Sequence, residues 1–430
     1  MAIGSISQST YVSSHEGQHR GALSIVTVLF FMWGFCTVLN DALIPHLQAL
    51  FSLTYLQASL VQLAFFGSYF LFAQPASQLI EKIGYKRTMV SGLIIMAGGS
   101  LLFVPAAIFG RYVLFLGAQI VLAAGVTTLQ VAANPYVTIL GPAESASSRL
   151  NLAQAFNTLG DTVAPFAGSI LLLKENIPHS SGVGSAVIQQ AASVKMPYMF
   201  IAFTLLLMAI TIALYRFPGI TLTQDFRPSS TVVDRVWSHP HVILGAAAIF
   251  IYVGAEVSIG SFLAKYLAEP AIGNLPLRTA TEYVTVYWAG MMLGRFVGAA
   301  VMQRVRPNRL LVMAAVGACL MTGISILTTG HLAMWSILSV GLFNSIMFPT
   351  IFALGVAGMG VMTGKASGLL IQAIVGGAVL PVLMGHFADT IGIHKALTLP
   401  LICYVFIAYY GLSGYRIRPG ESISHFEAVP

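Results

Sequence analysis

RLNLAQAFNTLGDTVAP, residues 149–165, and KASGLLIQAIVGGAVLP, residues 365–381, carry a basic residue, a glycine and a proline at the same three places. Arg149 stands sixteen residues before Pro165 and Lys365 sixteen before Pro381, with Gly160 and Gly376 at matching positions between them. Other markers keep nearly the same distance. Gln130 and Asn344 each precede a proline, Pro135 or Pro349, by five residues, and KxxxxR at 82–87 is matched by RxxxxR at 304–309. The offset runs only from 214 (130 to 344) to 222 (82 to 304), as duplication of one half of the chain would leave it.

These markers sit in a chain of apolar blocks. Its 430 residues are 57% hydrophobic and 8% charged, with a mean hydropathy of +0.83, against about 25% charged residues in a soluble domain. A spanning helix needs about 20 mostly apolar residues. Twelve such stretches can be marked: 22–46, 57–81, 88–109, 113–139, 150–173, 197–215, 241–266, 281–303, 309–329, 332–357, 366–388 and 396–415. The expected fold is an all-α membrane protein whose twelve transmembrane helices form two six-helix bundles. Its parts are a tail (1–20), an amino-terminal bundle (21–216), a linker (217–240), a carboxyl-terminal bundle (241–416) and a second tail (417–430). Two like-oriented halves around a central cavity are a transporter architecture.

The formal charge of +7 does not point to nucleic acid, because the basic residues lie in short runs between spans and form no contiguous face. Sorted by loop, fourteen of the 21 Lys and Arg fall on one side, six on the other, and Arg295 lies within a span. The positive-inside rule then puts both termini in the cytoplasm. The polar first twenty residues lack the build of a cleaved signal and read as a tail. Cys36, Cys319 and Cys403 lie in apolar segments without ligand-like spacing, so neither a disulfide nor a Cys metal centre is expected. No nucleophile, base and orienting group cluster, and no enzyme is expected.

A charge at the bilayer centre costs at least about 2.5–3.5 kcal/mol, so Asp41, Asp161, Glu256 and Arg295, all inside spans, each need a reason. In the fifth span Asn151, Gln154, Asn157 and Asp161 recur every three or four residues and share one face. Thr127, Gln130 and Asn134 repeat the pattern in the fourth. Interhelical hydrogen bonds, worth about 0.6 kcal/mol each, would account for one or two such residues per helix. A whole stripe reads better as the lining of a cavity for a polyhydroxylated ligand. The second half adds Tyr252, Glu256, Tyr283, Tyr287, Trp288, Asn344 and Gln372, offering aromatic rings to the C–H face of a sugar and polar groups to its hydroxyls. Substrate contacts are therefore expected at Gln130, Asn134, Gln154, Asn157, Glu256, Tyr287, Trp288, Asn344 and Gln372. Arg295, in GRFVG near the end of its span, reads as a gating residue able to snorkel to water. Pro135, Pro165, Pro349 and Pro381 can kink their helices.

SQLIEKIGYK (77–86) resembles the GxLaDrxGrk signature of the major facilitator superfamily, with Ser77 for the first glycine and Glu81 for the aspartate. Glu81 can still pair with a basic residue, and Glu81, Lys86 and Arg87 join Arg295 as expected gate residues. LNDALIP (39–45), LQVAANPYVTILGP (129–142), RLNLAQAFNTLG (149–160), YVGAEVSIGSFL (252–263), GLFNSIMFPTIFALG (341–355) and GLLIQAIVGGAVLP (368–381) together resemble the fucose:proton symporter family. GAEVSIGS with FNSIMFPTIFALG is similar to its glucose/galactose branch, and the resemblance runs from about 22 to 416. It implies cation-coupled import of D-glucose or D-galactose by alternating access across a bacterial inner membrane, with no cofactor beyond the coupling ion. By position Asp41 matches the helix-one carboxylate that the family uses in coupling, and Gln154 and Asn157 match its sugar-facing amides. One departure stands out: fucose-type members carry a glutamate where this chain has Gln130, and carboxylates appear instead at Asp161 and Glu256.

The coupling ion is open between two chemistries. A proton carrier needs one buried carboxyl, which Asp41 could supply. A sodium site needs several hard oxygens around one or two carboxylates, and Asp41 with Asp161 and nearby Asn and Thr oxygens could supply those. The sequence does not choose, although two carboxylates on separate helices tilt the balance towards sodium. Two other functions remain in play. A non-transporting sugar sensor would be expected to carry a longer signalling tail, and a proton-coupled exporter of another small solute would line its cavity with fewer amides. The two-bundle fold completes its own cavity and so permits a monomer.

Overall fold

The computed structural model describes residues 21–38, 55–109, 111–172, 183–215, 217 and 236–417. Among these there is no strand. The first helix, α1, is Gly21–Val38. The run Tyr55–Phe109 is helical except at Gly84, whose φ of 78° divides it into α2 (55–83) and α3 (85–109). Glycine reaches that left-handed region without steric penalty, so the turn inside SQLIEKIGYK is made with one residue. Then follow α4 (Tyr112–Ile139), α5 (Ala146–Leu172) and α6 (Val183–Leu214). The second half comprises α7 (Pro240–Ala268), α8 (Leu277–Val301) and α9 (Pro307–Leu327). Next, α10 is built of Gly330–Asn344 and Met347–Val356, and α11 of Thr363–Gln372 and Gly376–Ile391. Last, α12 (Thr398–Tyr409) runs on into a π-helical turn, Tyr410–Gly414.

Ten described stretches are long and apolar enough to cross a membrane, and one of them, Leu60–Ala106, is the α2–α3 run. Counted as two arms, and with the more polar α5 added, these are the twelve helices of the expected fold. α6 starts fourteen residues before the apolar span marked at 197, because helical geometry continues through 183–196 ahead of it. Large apolar side chains such as Leu63, Phe70, Phe203, Leu207, Val382 and Ile402 face outward. With their backbone groups satisfied inside the helices, these side chains form the surface that lipid can cover.

The internal repeat is visible in the packing. α5 crosses α1 at Gly160, where a Cβ would collide with the carbonyl of Phe31, and α11 crosses α7 at Gly376, where it would collide with the carbonyl of Phe250. The opposing glycines repeat as well: Gly34 of α1 lies against Asn157 and Asp161, and Gly254 of α7 lies against Leu380. The two glycines meet different chemistry, a carboxylate and an amide at Gly34 and an aliphatic side chain at Gly254. The halves meet where α5 packs on α8 and α10 and where α11 packs on α2 and α4.

Candidate functional site

One turn of α5 ties three other helices together. The Gln154 side chain donates to Asn134 Oδ1 of α4 at 3.3 Å. Asn157 donates to the Phe30 carbonyl of α1 at 2.9 Å. The Gln154 carbonyl accepts from Arg295 of α8 at 3.2 Å, and the Thr158 hydroxyl accepts from the same guanidinium. A turn earlier, Asn151 reaches Met302 Sδ and Thr350 Oγ1, both at 3.3 Å, in the second half. In α4, Gln130 donates to the Tyr69 hydroxyl of α2 at 2.6 Å. The polar stripe is real, but Asn134, Gln154 and Gln130 are at most 5% exposed and each has a protein partner. In this conformation the stripe faces neighbouring helices. Its amides bond between helices because an unpaired amide in hydrocarbon would be costly.

Proline explains two of the contacts. A proline has no N–H for the carbonyl four residues earlier, which leaves Val131 O without its helical donor ahead of Pro135, and Ser345 O ahead of Pro349. Val131 O accepts from Ser367 Oγ of α11 at 2.8 Å, across the two halves. Ser345 O accepts from Arg295 Nε at 3.2 Å. The break between the two segments of α10 falls at that freed carbonyl. Arg295 therefore does not snorkel: it is 8% exposed and its donors are taken by backbone oxygens and a hydroxyl on α5 and α10.

The second half encloses a cluster of its own. Asn344 donates to the Tyr287 hydroxyl at 2.8 Å, and Tyr252 donates to the Asn344 carbonyl at 2.9 Å. Glu256 lies one turn beyond Tyr252 on α7. Tyr404 of α12 is fully buried.

On the side that carries the basic loops the halves are in contact. Glu81 at the end of α2 pairs with Lys365 of α11 at 3.1 Å. Ser148 donates to the Ala299 carbonyl at 2.6 Å. Gln372, at the break in α11, accepts from Gln74 and donates to the Phe70 carbonyl, both at 3.0 Å. Lys86, expected at the gate, instead caps the carboxyl end of α6 within its own half, donating to the carbonyls of Ala213 and Tyr215 at 2.8 and 2.9 Å. Unpaired carbonyls at a helix end attract a cation, which is why the lysine turns there. Arg87 is exposed.

Towards the opposite side lies a cavity of about 330 Å³, lined by Val61, Gln62, Phe65 and Phe66 of α2, Gln119 of α4, Val257, Gly260 and Ser261 of α7, and Trp288 of α8. Gly260 lets the Trp288 indole lie against α7, and Trp288 packs edge-on to Tyr287 with centroids 5.3 Å apart.

The structure thus brings together Gln154 with Asn134 and Tyr287 with Asn344. It sets Trp288 apart in the cavity and Gln372 at the interface between halves. Asp161 faces Gly34 of α1. Asp41, the other carboxylate of the expected coupling site, lies outside the described residues. Sequence reasoning passed over Tyr69, Tyr404, Gln62, Gln119, Phe65 and Phe66. Gln62, Phe65, Phe66 and Tyr69 do recur at three- and four-residue spacing on α2, a face overlooked as a polar stripe because most of its residues are aromatic; Gln119 and Tyr404 are single residues in apolar runs of other helices.

The family model of the Major Facilitator Superfamily matches residues 23–373. The chain is 49% identical over 406 residues to the glucose/galactose transporter of Brucella abortus, across 94% of this chain and 96% of that relative. It is 34% identical over 414 residues to the L-fucose-proton symporter of Escherichia coli, across 92% and 94%. Among solved structures, the major facilitator superfamily transporter FucP in its outward conformation superposes with a TM-score of 0.86 at 34% identity, covering 92% of this chain and 99% of that one. These relatives are named as transporters and none as an enzyme. The chain belongs to the major facilitator superfamily and, within it, to the fucose:proton symporter family.

Proposed function

We propose that this member of the fucose:proton symporter family imports a hexose, D-glucose or D-galactose, by proton symport across a bacterial inner membrane. The observation that carries the reading is a cavity whose described lining is uncharged and made of aromatic, aliphatic and polar side chains, on one side of two half-bundles whose other side is held shut by Glu81–Lys365 and Ser148–Ala299. That is a geometry for alternating access. The bias of fourteen of the 21 basic residues supports a cytoplasmic location for the shut side and for both termini. The halves 21–216 and 241–416 rock about the amides of α4 and α5 and the cluster of Glu256, Tyr287 and Asn344. Each of those amides exchanges a protein partner for a sugar hydroxyl as the substrate moves inward. Glu81, supported by Lys365, and Arg295 serve as gate residues.

The names of the relatives support a hexose, and the proton-coupled Escherichia coli relative supports a proton in preference to sodium. Asp41 is the proton carrier of this reading. Linkage requires that whatever factor the ion adds to sugar affinity, sugar adds to ion affinity. The test is uptake of labelled D-glucose and D-galactose into proteoliposomes, with a proton gradient or a sodium gradient imposed separately and the membrane potential clamped. Accumulation above equilibrium driven by the proton gradient and abolished by a protonophore is expected. Accumulation driven by sodium alone would overturn the ion, and absence of saturable uptake of either sugar would overturn the substrate.

A further inference from the structure

We propose that Arg304, Arg306, Arg309 and Arg416 form a site for the phosphate headgroup of an anionic phospholipid, on the side of the basic loops where α9 and α12 face the bilayer. The site does not depend on which sugar or ion the protein carries.

The internal repeat shows that these arginines are not consumed in holding the fold. At the offset of 222 residues, Asn308 is the counterpart of Lys86, Arg304 of Lys82 and Arg309 of Arg87. In the first half Lys86 donates to the carbonyls that end α6. In the second half Asn308 performs that task at the end of α12, donating to the Gly411 carbonyl at 3.4 Å. A neutral amide ties the corner together, and the charges beside it are left over. Acid is missing too: Gln303 stands where the first half has Glu81, and Arg306 stands where it has Gly84. All four arginines are exposed, and among the described residues no carboxylate pairs with any of them. The positive-inside rule accounts for their sign. It does not account for a corner that has gained an arginine and lost its acid.

Helical spacing joins the cluster to the lipid-facing surface. On α9 the side chains of Met313, Val316 and Leu320 are exposed, and Arg309 precedes them by four, seven and eleven residues on the same face. From Arg309 to Leu320 is about 16 Å at 1.5 Å per residue, about half of a ~30 Å hydrocarbon core. On α12 Ile402, Val405, Tyr409 and Leu412 form a second exposed row, and Arg416 follows it. The two helices pack together, with Gly411 so close to α9 that a Cβ there would stand 2.8 Å from the Val312 side chain and 3.3 Å from the Asn308 carbonyl.

An acyl chain of one leaflet can lie along these rows while its phosphate meets the guanidinium groups, whose planar forks match phosphate oxygens. A zwitterionic lipid would bring its own cation into the cluster. A soluble phosphate would leave the apolar rows unused.

The test is native mass spectrometry of the whole protein, delipidated in a neutral detergent and titrated with phosphatidylglycerol or phosphatidylcholine. The first phosphatidylglycerol is expected to bind at least about tenfold more tightly than phosphatidylcholine, and excess inorganic phosphate is expected not to displace it. Arg304→Gln with Arg309→Gln should weaken that first binding at least about tenfold, since each arginine near an anionic surface is worth about fivefold. The disjoint pair Arg306→Gln with Arg416→Gln should do the same, so a folding defect in one pair, read as a lowered melting temperature, leaves the other to decide. Lys82→Gln with Arg87→Gln removes as much charge from the equivalent corner of the first half and should change the binding less than about threefold. Equal loss in that first-half pair would overturn the site in favour of diffuse charge. No preference for phosphatidylglycerol, or its complete displacement by inorganic phosphate, would overturn the lipid.

Discussion

Arg295 Nε and the carbonyl of Ser345 lie 3.2 Å apart, and they meet because Pro349 has no N–H to offer that carbonyl. The other arm of the same guanidinium reaches Gln154 O and Thr158 on α5, so one buried cation spans the two halves. Arg295→Met strips three oxygens of their donor. Loss of one partner in such a buried set costs about 3–5 kcal/mol. Hexose uptake should fall at least about tenfold, with a lower melting temperature for the purified protein. Arg295→Lys should not restore either, since one ammonium cannot reproduce a planar fork that serves two helices. Uptake by Arg295→Lys equal to the unsubstituted chain would show that the charge alone matters.

The paired crossings at Gly160 and Gly376 make a symmetric prediction. A methyl at either position meets a backbone carbonyl, of Phe31 or Phe250, that cannot step aside as a side chain would. Gly160→Ala and Gly376→Ala should each destabilise the protein by about 1–3 kcal/mol, the usual scale of overpacking. Gly98 and Gly117 are helical glycines with open space where a Cβ would stand. Their alanine variants should be neutral or gain up to about 1 kcal/mol from helix propensity. Thermal unfolding of the four variants checks both halves of the prediction.

These glycines also mark what the sequence disclosed. The matched basic, glycine and proline positions of 149–165 and 365–381 were enough to find two halves, and the packing gives Gly160 and Gly376 one geometric task. The α5 stripe was equally legible because helical spacing puts Asn151, Gln154, Asn157 and Asp161 on one face. Which way that face looks was not legible: in this conformation Gln154 and Asn157 satisfy neighbouring helices. Lys86 shows the limit for charges, since a motif names the residue while the nearest unpaired carbonyls, here of Ala213 and Tyr215, decide its partner. Gln119 stands alone in an apolar run of α4 and leaves no periodic trace.

The contacts that shut the basic side should differ in strength. Glu81 and Lys365 are partly exposed, at 28% and 49%, so their ion pair is worth about 0.2–1 kcal/mol. Lys365→Met should therefore shift the balance between the two open states less than about fivefold, and the charge swap Glu81→Lys with Lys365→Glu should reverse the shift. Ser367 is fully buried, and its loss leaves the Val131 carbonyl with neither a helical nor a side-chain donor. Ser367→Ala should open the basic side more than Lys365→Met does, by about 1–3 kcal/mol. The readout is modification of a cysteine introduced on that side, in inside-out vesicles, and an order reversed from this one would refute the assignment.

The two amino-half carboxylates can be separated by the neutral isostere. Asparagine resembles a protonated aspartate, so a carrier whose coupling carboxylate becomes Asn can still bind sugar and rock, but it no longer needs the ion to do so. Under proton coupling through Asp41, Asp41→Asn should abolish accumulation against a gradient while sugar exchange across the membrane persists. Asp161, which packs against Gly34 where α5 crosses α1, is not the carrier in this reading. Asp161→Asn should then keep concentrative uptake, with a change in rate of less than about tenfold, since only a surface of α1 is repacked. A shared ion site would behave differently, because removing either carboxylate would end accumulation. The ratio of internal to external D-galactose at steady state, with counterflow measured on the same vesicles, decides the point. Accumulation unchanged in Asp41→Asn would refute its role as the carrier, and accumulation lost in both variants would identify Asp41 and Asp161 as one site.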